Sequence, residues 1–148
     1  RLKQLGIHII IETSGYFDYE KFERLMLPYV DMIYFDIKFA DPAPHERYCG
    51  KTNHKILENL AKLIKESSSR IQPRFPIFPG INDTDQNLTQ IALLLDKLGQ
   101  KRIEVLPYNP TGTYKYEALG RPEPKATKEF TSSAELSRIQ KYLSQQAK

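Results

Sequence analysis

Four short apolar runs alternate with amphipathic segments along most of this chain. The runs are rich in β-branched and aromatic residues, which favours strands, while the segments between them have apolar residues at helical spacing. Strands that alternate with helices predict a parallel sheet, because each helix returns the chain to the same end of the sheet. The predicted strands cover residues 7–11, 30–39, 70–78 and 102–106.

The predicted fold class is therefore α/β, with helices outside a parallel sheet. Four strands are too few to close an eight-stranded barrel, so the residues alone leave an open sheet and part of a barrel as alternatives. The 148 residues, 40% of them hydrophobic, suffice for a single domain over 1–148. Residues 110–131 are predicted as a long loop, and 132–146 as a C-terminal helix that opens with a capping box at Ser132 and Glu135.

The composition excludes several classes of protein. The single cysteine, Cys49, rules out an internal disulfide framework and agrees with a reducing, cytoplasmic setting. The net charge of +4 is spread along the chain without a dense basic patch, so we expect no nucleic-acid partner. No apolar run approaches the roughly 20 residues that a membrane span needs, so we expect no membrane association.

Polar side chains collect where the predicted strands end. Asp36 and Lys38 are two residues apart in one run, so both side chains lie on the same face of that strand. Because the carboxyl ends of parallel strands meet at one edge of the sheet, the sequence predicts a shared small-molecule site there. Its candidate residues are Glu12, Thr13, Asp36, Lys38, Arg74 and Asn109.

Charges inside an apolar strand need an explanation, since an unpaired buried charge is costly. Lys38 can bind an anion and Asp36 an amine or hydroxyl; the alternative is that the two pair with neighbours inside the sheet. Glu12 follows four aliphatic or β-branched positions and offers a carboxylate to an amine or a cation, or else contacts its own turn.

The remaining reactive residue types give weaker signals. His8 lies in a predicted strand and is expected in the core, whereas His45 and His54 are expected at the surface. Cys49 is expected to be a packed residue, with a reactive thiol as the alternative. No two histidines have the spacing of metal ligands, and the sequence has no phosphate loop or dinucleotide fingerprint.

Five separate stretches carry a more specific signal. They are Glu-Thr-Ser-Gly-Tyr (12–16), Tyr-Val-Asp-Met-Ile-Tyr-Phe-Asp-Ile-Lys (29–38), Gly-Lys-Thr-Asn-His-Lys-Ile-Leu-Glu-Asn-Leu (50–60), Pro-Arg-Phe-Pro-Ile-Phe-Pro-Gly-Ile-Asn-Asp (73–83) and Leu-Pro-Tyr-Asn (106–109). These stretches resemble, in order and within residues 1–120, the glycyl-radical-enzyme activating enzymes. Several ordered blocks make this resemblance more specific than any single motif.

The resemblance implies a radical S-adenosylmethionine (SAM) enzyme with a partial, six-stranded parallel barrel, of which this chain would supply about four strands. In that family a [4Fe-4S] cluster, held by a Cys-x3-Cys-x2-Cys loop, cleaves SAM, and the resulting radical takes a hydrogen from a glycine. The implied partners are a glycyl-radical enzyme such as pyruvate formate-lyase and an electron donor such as flavodoxin or ferredoxin. Neither the three-cysteine loop nor the family's Gly-Gly-Glu motif, which binds the methionine amine of SAM, is in these residues. We therefore expect a C-terminal fragment that is inactive alone.

The resemblance also assigns roles to individual residues. Glu12 matches a position that contacts the methionine amine of SAM, and Lys38 matches a lysine that meets its carboxylate. Arg74 matches an arginine near the substrate glycine, and Asn109 stands where a histidine that contacts the ribose is common. The implied cofactor-binding residues are thus Glu12, Thr13, Lys38 and Asn109, and the implied monovalent-cation ligands are Glu12, Thr13, Tyr34 and Asp36.

Two other functions stay open from the residues. One is a divalent-metal-dependent isomerase or aldolase on a parallel barrel, with Glu12 and Asp36 holding the ion; the other is a non-catalytic interaction domain. A partial barrel further predicts that the strand at residues 7–11 is an unpaired edge that can pair with another copy of the chain.

Overall fold

Four parallel strands form one sheet in the order β1-β2-β3-β4 in the computed structural model, which describes residues 1–122 and 127–146. This confirms the predicted α/β fold with a parallel sheet. The strands are β1 (Ile10–Thr13), β2 (Met32–Asp36), β3 (Ile71–Pro76) and β4 (Glu104–Leu106).

Six helices connect or follow the strands in the described part of the chain. They are α1 (Tyr19–Leu25), α2 (Pro42–Cys49), α3 (His54–Ser67), α4 (Asp85–Lys97), α5 (Tyr114–Ala118) and α6 (Ser133–Gln146). Polar side chains cap several of them, as the sequence indicates: Asp18 accepts a hydrogen bond from the backbone N of Lys21 at the start of α1, and Ser132 accepts one from Glu135 at the start of α6.

The hydrophobic core lies between one face of the sheet and the helices. In β2 the residues alternate, so that Ile33 and Phe35 are fully buried in the core while Tyr34 and Asp36 point to the other face. The helices contribute apolar stripes at helical spacing, including Leu60 of α3. We call the other side of the sheet the open face, and it carries the polar residues.

The first strand begins three residues later than the sequence predicts. The prediction placed it at residues 7–11, but the structure places β1 at Ile10–Thr13. Its partner β2 begins only at Met32, which faces Ile10, so earlier residues have no strand beside them. His8 is consequently exposed, and its predicted place in the core is wrong.

The third strand lies inside the sheet although it contains two prolines. Proline lacks an N–H and favours edges and bulges, but β3 lies between β2 and β4. The pairing of β3 with β4 covers only Arg74 to Pro76, so Pro73 precedes this ladder and Pro76 ends it. The prolines therefore stand before and at the end of the β3–β4 ladder, although Pro73 also faces Phe35 inside the β2–β3 ladder.

Two further expectations differ from the structure. The stretch 110–131, predicted as a long loop, contains a 3-10 turn at Pro110–Thr113 and the short helix α5; residues 123–126 lie outside the described part. His45 is buried rather than at the surface, because its Nδ1 lies 2.6 Å from the carbonyl oxygen of Lys51 and donates to it. Within the described residues, no helix has the length and apolar character to cross a membrane.

Candidate functional site

Four charged side chains meet on the open face at the carboxyl end of the strands. Glu12 comes from β1, Asp36 from the end of β2, Lys38 from just beyond it, and Arg74 from β3. Strand register brings them together, since Asp36 and Arg74 are partners across β2 and β3, and Glu12 faces Tyr34 across β1 and β2. We refer to Glu12, Asp36, Lys38 and Arg74 as the charge cluster.

Arg74 is the centre of the charge cluster. Its Nη1 donates to Oε1 of Glu12 at 3.0 Å, and its Nε and Nη2 donate to Oδ1 of Asp36 at 3.2 and 3.1 Å. The guanidinium carbon also lies 4.9 Å from the centre of the Tyr34 ring, within the range of a cation–π contact. Only 10% of the Arg74 side chain is exposed. One guanidinium thus joins two carboxylates that belong to different strands.

Lys38 is held less tightly than Arg74. Its Nζ lies 3.4 Å from Oδ2 of Asp36, which is long for a charge-assisted hydrogen bond. The side chain is 23% exposed, so the ammonium can still receive an anionic group from solvent. The predicted alternative, a pair inside the sheet, describes part of this geometry but leaves Lys38 with free donors.

The ion pairs change the acid–base properties of the charge cluster. Hydrogen bonding to Arg74, together with its positive charge, holds the pKa of Glu12 below its ordinary value of 4.5. The same contacts, the Glu12 hydrogen bond first, raise the pKa of Arg74 against the opposing effect of burial. Both groups are therefore ionised at neutral pH.

The other predicted site residues are arranged differently. The ring of Tyr34 lies beneath Arg74, whereas the hydroxyl of Thr13 accepts a hydrogen bond from the backbone N of Gly15 at 3.0 Å. Asn109 follows β4, and its Oδ1 accepts from the backbone N and the hydroxyl of Thr111. The structure thus unites the four charges and Tyr34, while the polar groups of Thr13 and Asn109 serve their own turns.

Buried asparagines position the loops around the site, which the sequence analysis missed. Asn82 donates to the carbonyl oxygens of Lys38 and Pro76, and its own oxygen accepts from Phe78. Asn87 likewise donates to the carbonyl of Lys38. The loop after β2 is therefore fixed to the loop after β3, and the backbone at Lys38 is held from two sides.

Two more asparagines hold the loops after β2 and β1 in the same way. Asn53 of the α2–α3 connection donates to the carbonyls of Phe39 and Ala40, and Asn59 of α3 donates to those of Gly15 and Phe17. A signal for Asn59 was available, because it lies beside apolar residues at the buried positions of α3.

The open face also borders a cavity of about 470 Å³ on the amino-terminal side of the charge cluster. Alternate residues of three strands line it, namely Met32, Tyr34, Gln72 and Glu104, together with Gln140 of α6. Tyr34 is shared with the charge cluster, so the cavity and the cluster belong to one continuous face.

The chain itself does not fit the needs of an iron–sulfur cluster. Such clusters are held by several thiolates, and the one thiol of the sequence, Cys49, is exposed at the end of α2. Among the described residues, no three His, Cys, Asp or Glu side chains are grouped to hold a metal ion. Cys49 thus lies at the surface and is not the packed residue that was expected, although partial desolvation raises the pKa of its thiol against the opposing charge of Lys38.

Comparison with known proteins adds evidence from sequence. No family model matches the chain. It is 39% identical over 120 residues to the (2S)-3-sulfopropanediol dehydratase activating enzyme of Klebsiella oxytoca, a match that covers 79% of this chain and 37% of that protein. It is 34% identical over 142 residues to the choline trimethylamine-lyase activating enzyme of Oleidesulfovibrio alaskensis, covering 93% of this chain and 45% of that protein.

The chain is a relative of the glycyl-radical-enzyme activating enzymes. It spans less than half the length of the two activating enzymes compared above. Among solved structures, a domain of the pyruvate-formate lyase-activating enzyme from Bacteroides vulgatus matches 97% of this chain and 80% of its own length, with a TM-score of 0.71 and 20% identity. This likeness supports the fold, a partial barrel. The sequence matches confirm the predicted family resemblance.

Proposed function

We propose that this chain is part of a radical SAM activating enzyme. The whole enzyme would generate a glycyl radical on a partner enzyme such as pyruvate formate-lyase. The observation that carries the proposal is its similarity to activating enzymes over 79% to 93% of its length. The charge cluster at the strand ends supports it, because SAM presents a carboxylate and an amine close together.

The proposed roles follow the charges. Lys38 binds the carboxylate of SAM with the donors that its long contact to Asp36 leaves free. Glu12, whose side chain is 65% exposed, binds the amine through Oε2, the oxygen that Arg74 does not contact. Thr13 and Asn109 complete the cofactor contacts through the Thr13 hydroxyl hydrogen and the Asn109 amide nitrogen, since their oxygens accept hydrogen bonds within their own turns. Arg74 stands on the side of the substrate glycine. The resemblance also implies a monovalent cation held by Glu12, Thr13, Tyr34 and Asp36. Arg74 would compete with such a cation, because its guanidinium contacts the carboxylates of both Glu12 and Asp36.

The residues present here bind and orient; they do not supply electrons. A [4Fe-4S] cluster, when bound to the whole enzyme, supplies the electron that cleaves SAM, and flavodoxin or ferredoxin is the proposed donor to it. Because one cysteine cannot hold such a cluster, we propose that the 148-residue chain alone does not cleave SAM. We propose a cytoplasmic location, where the thiol of Cys49 would stay reduced.

The Lys38→Ala substitution in the full-length holoenzyme tests the site. Loss of a charge-assisted contact should weaken SAM binding about ten- to hundred-fold in calorimetry. Lys97→Ala, which removes an exposed lysine at the end of α4, is the matched control and should bind SAM normally. Unchanged SAM affinity in Lys38→Ala would contradict the assigned role.

Reconstitution with iron and sulfide tests the inactivity of the chain alone. We expect no cluster absorbance and no SAM cleavage, whereas either signal would overturn that part of the proposal. The rival isomerase or aldolase would instead show divalent-metal-dependent turnover of a sugar or an aldehyde. Its two proposed ligands, Glu12 and Asp36, are both bound to Arg74, which favours the activating enzyme over this rival.

A further inference from the structure

We propose that Arg74 is the resident cation of the Glu12–Asp36 pair, so that no metal ion binds between these two carboxylates. The inference deepens the proposed function by replacing the monovalent ion that the family resemblance implies with a side chain of the protein. The inference rests on the proposed function only in naming SAM as the ligand. Its other premises are charges and contacts of residues that the structure describes.

The first argument is occupancy. The three guanidinium nitrogens of Arg74 lie 3.0 to 3.2 Å from Glu12 Oε1 and Asp36 Oδ1, so one oxygen of each carboxylate already contacts a cation. The hydroxyl of Thr13 is also used, since it accepts from the backbone N of Gly15. Three of the four predicted cation ligands therefore already have partners within the chain.

The second argument is the cost of moving Arg74. Its residue surface is only 8% exposed, and a buried guanidinium without a carboxylate is strongly unfavourable. Arginine cannot lose its proton at working pH, so it cannot relieve this cost by becoming neutral. A monovalent ion would have to recover the whole loss through the same two carboxylates.

The third argument is charge balance. Glu12 and Asp36 contribute two negative charges, and Lys38 and Arg74 contribute two positive charges, so the charge cluster is neutral. An added ion would make it positive while Arg74 remained. The backbone also favours Arg74, because Asp36 and Arg74 are register partners and the Tyr34 ring supports the guanidinium from one side.

Thallium(I) titration of this chain, followed by ²⁰⁵Tl NMR, tests the inference, because thallium(I) is a probe for sites that bind potassium. We expect no saturable site in the wild-type chain and a new saturable site in Arg74→Gln, tighter by about ten-fold or more than any residual binding to the wild type. A saturable thallium site in the wild type that Glu12→Gln abolishes would overturn the proposal, as would the absence of a site in folded Arg74→Gln.

Three variants separate charge from packing. Arg74→Lys keeps a positive charge at the position and should bind no thallium, even though it changes the hydrogen bonds. The double variant Arg74→Gln with Glu12→Gln should lose the new site. Arg138→Gln removes an exposed arginine that also contacts two carboxylates, those of Glu135 and Asp85, and should create no site.

A second measurement connects this inference to the ligand. In the full-length wild-type holoenzyme, SAM affinity should be the same in potassium chloride and in choline chloride. In the Arg74→Gln holoenzyme, SAM affinity should depend on potassium. If neither the wild type nor Arg74→Gln binds SAM, the proposed function fails. The thallium result still decides the role of Arg74 in that case. A potassium requirement for SAM binding in the wild type would contradict the resident-cation role.

Discussion

Gly15 turns the chain at the end of β1 with a φ of 80°, directly against the ring of Phe35. A Cβ at this position would collide with the ring, which is fully buried and has no room to move. Gly15→Ala should therefore destabilise the chain by about 2 to 4 kcal/mol, from overpacking and a left-handed backbone together. Urea unfolding monitored by circular dichroism would measure the loss.

Gly80 provides the matched control for this substitution. It has a φ of 71°, but a Cβ there meets no described atom within 4 Å. Gly80→Ala should cost only the backbone part, about 1 to 2 kcal/mol. Equal losses in the two variants would show that contact with Phe35 is not the cause.

Glu12 should give stability a specific pH dependence. Its pKa in the folded chain is below 4.5, mainly through the hydrogen bond from Arg74, so the unfolded chain binds more protons there. The contribution to stability is complete above the ordinary pKa and is lost as the pH falls through the depressed pKa. In Arg74→Gln the Glu12 pKa should rise towards 4.5, as measured by carboxyl ¹³C NMR titration.

Arg138 offers a control for the titration. Its contact with Glu135 lowers the pKa of that carboxyl by the same mechanism, on a different part of the surface. Arg138→Gln should raise the pKa of Glu135 and leave that of Glu12 unchanged. A shift of Glu12 in this variant would point to a general change in charge rather than to the Arg74 contact.

At the scale of elements, α6 protects the outer edge of β4 through one side chain. Gln140 accepts a hydrogen bond from the backbone N of Val105 at 3.2 Å and donates to the carbonyl of Ile103 at 3.0 Å. These are backbone groups that a neighbouring strand would otherwise use. The amide of Gln140 therefore takes the place of a fifth strand at this position.

Gln140→Leu should expose this edge. The variant loses two hydrogen bonds and leaves the backbone N–H of Val105 unpaired. The free energy of unfolding in denaturant should therefore fall by about 1 to 3 kcal/mol. Association of the variant should also increase with protein concentration in analytical ultracentrifugation. Gln86→Leu, on the exposed surface of α4, adds the same apolar bulk and should leave both properties near the wild type.

Sequence patterns predicted the elements well where neighbouring residues decide them. The cap at Ser132 and the shared face of Asp36 and Lys38 follow from local chemistry and strand geometry. Strand limits were less predictable, since β1 begins where β2 offers a partner and not where its β-branched run begins. β3 also lies inside the sheet although it contains Pro73 and Pro76, since residue 73 precedes its short ladder with β4 and residue 76 ends it.

For the whole molecule, the two edges of the sheet differ. The β4 edge is occupied by Gln140, while β1 is the first strand in the sheet order and pairs with β2 on one side. The carbonyl of Ile9 points towards β2, because it accepts hydrogen bonds from the backbone N of Asp31 and of Met32. The N–H and C=O of the next residue, Ile10, therefore point away from β2. We therefore expect copies of this chain to associate through β1 at high concentration.

Ile10→Pro tests this expectation. Proline at the first position of a strand is tolerated but removes the N–H that an added strand would need. Association in analytical ultracentrifugation should fall in Ile10→Pro and persist in Ile10→Val, which keeps the backbone donor. A wild-type chain that stays monomeric at every concentration would contradict the prediction.

The sequence by itself determined the parallel α/β fold, the family relationship and the residue types at the strand ends. These depend on local periodicity and on ordered motifs, which neighbouring residues encode directly. Only the tertiary structure decided that Arg74 lies between two carboxylates that are 62 and 38 residues away along the chain. The physical reason is that strand register and burial, which no local pattern encodes, select which opposite charges meet.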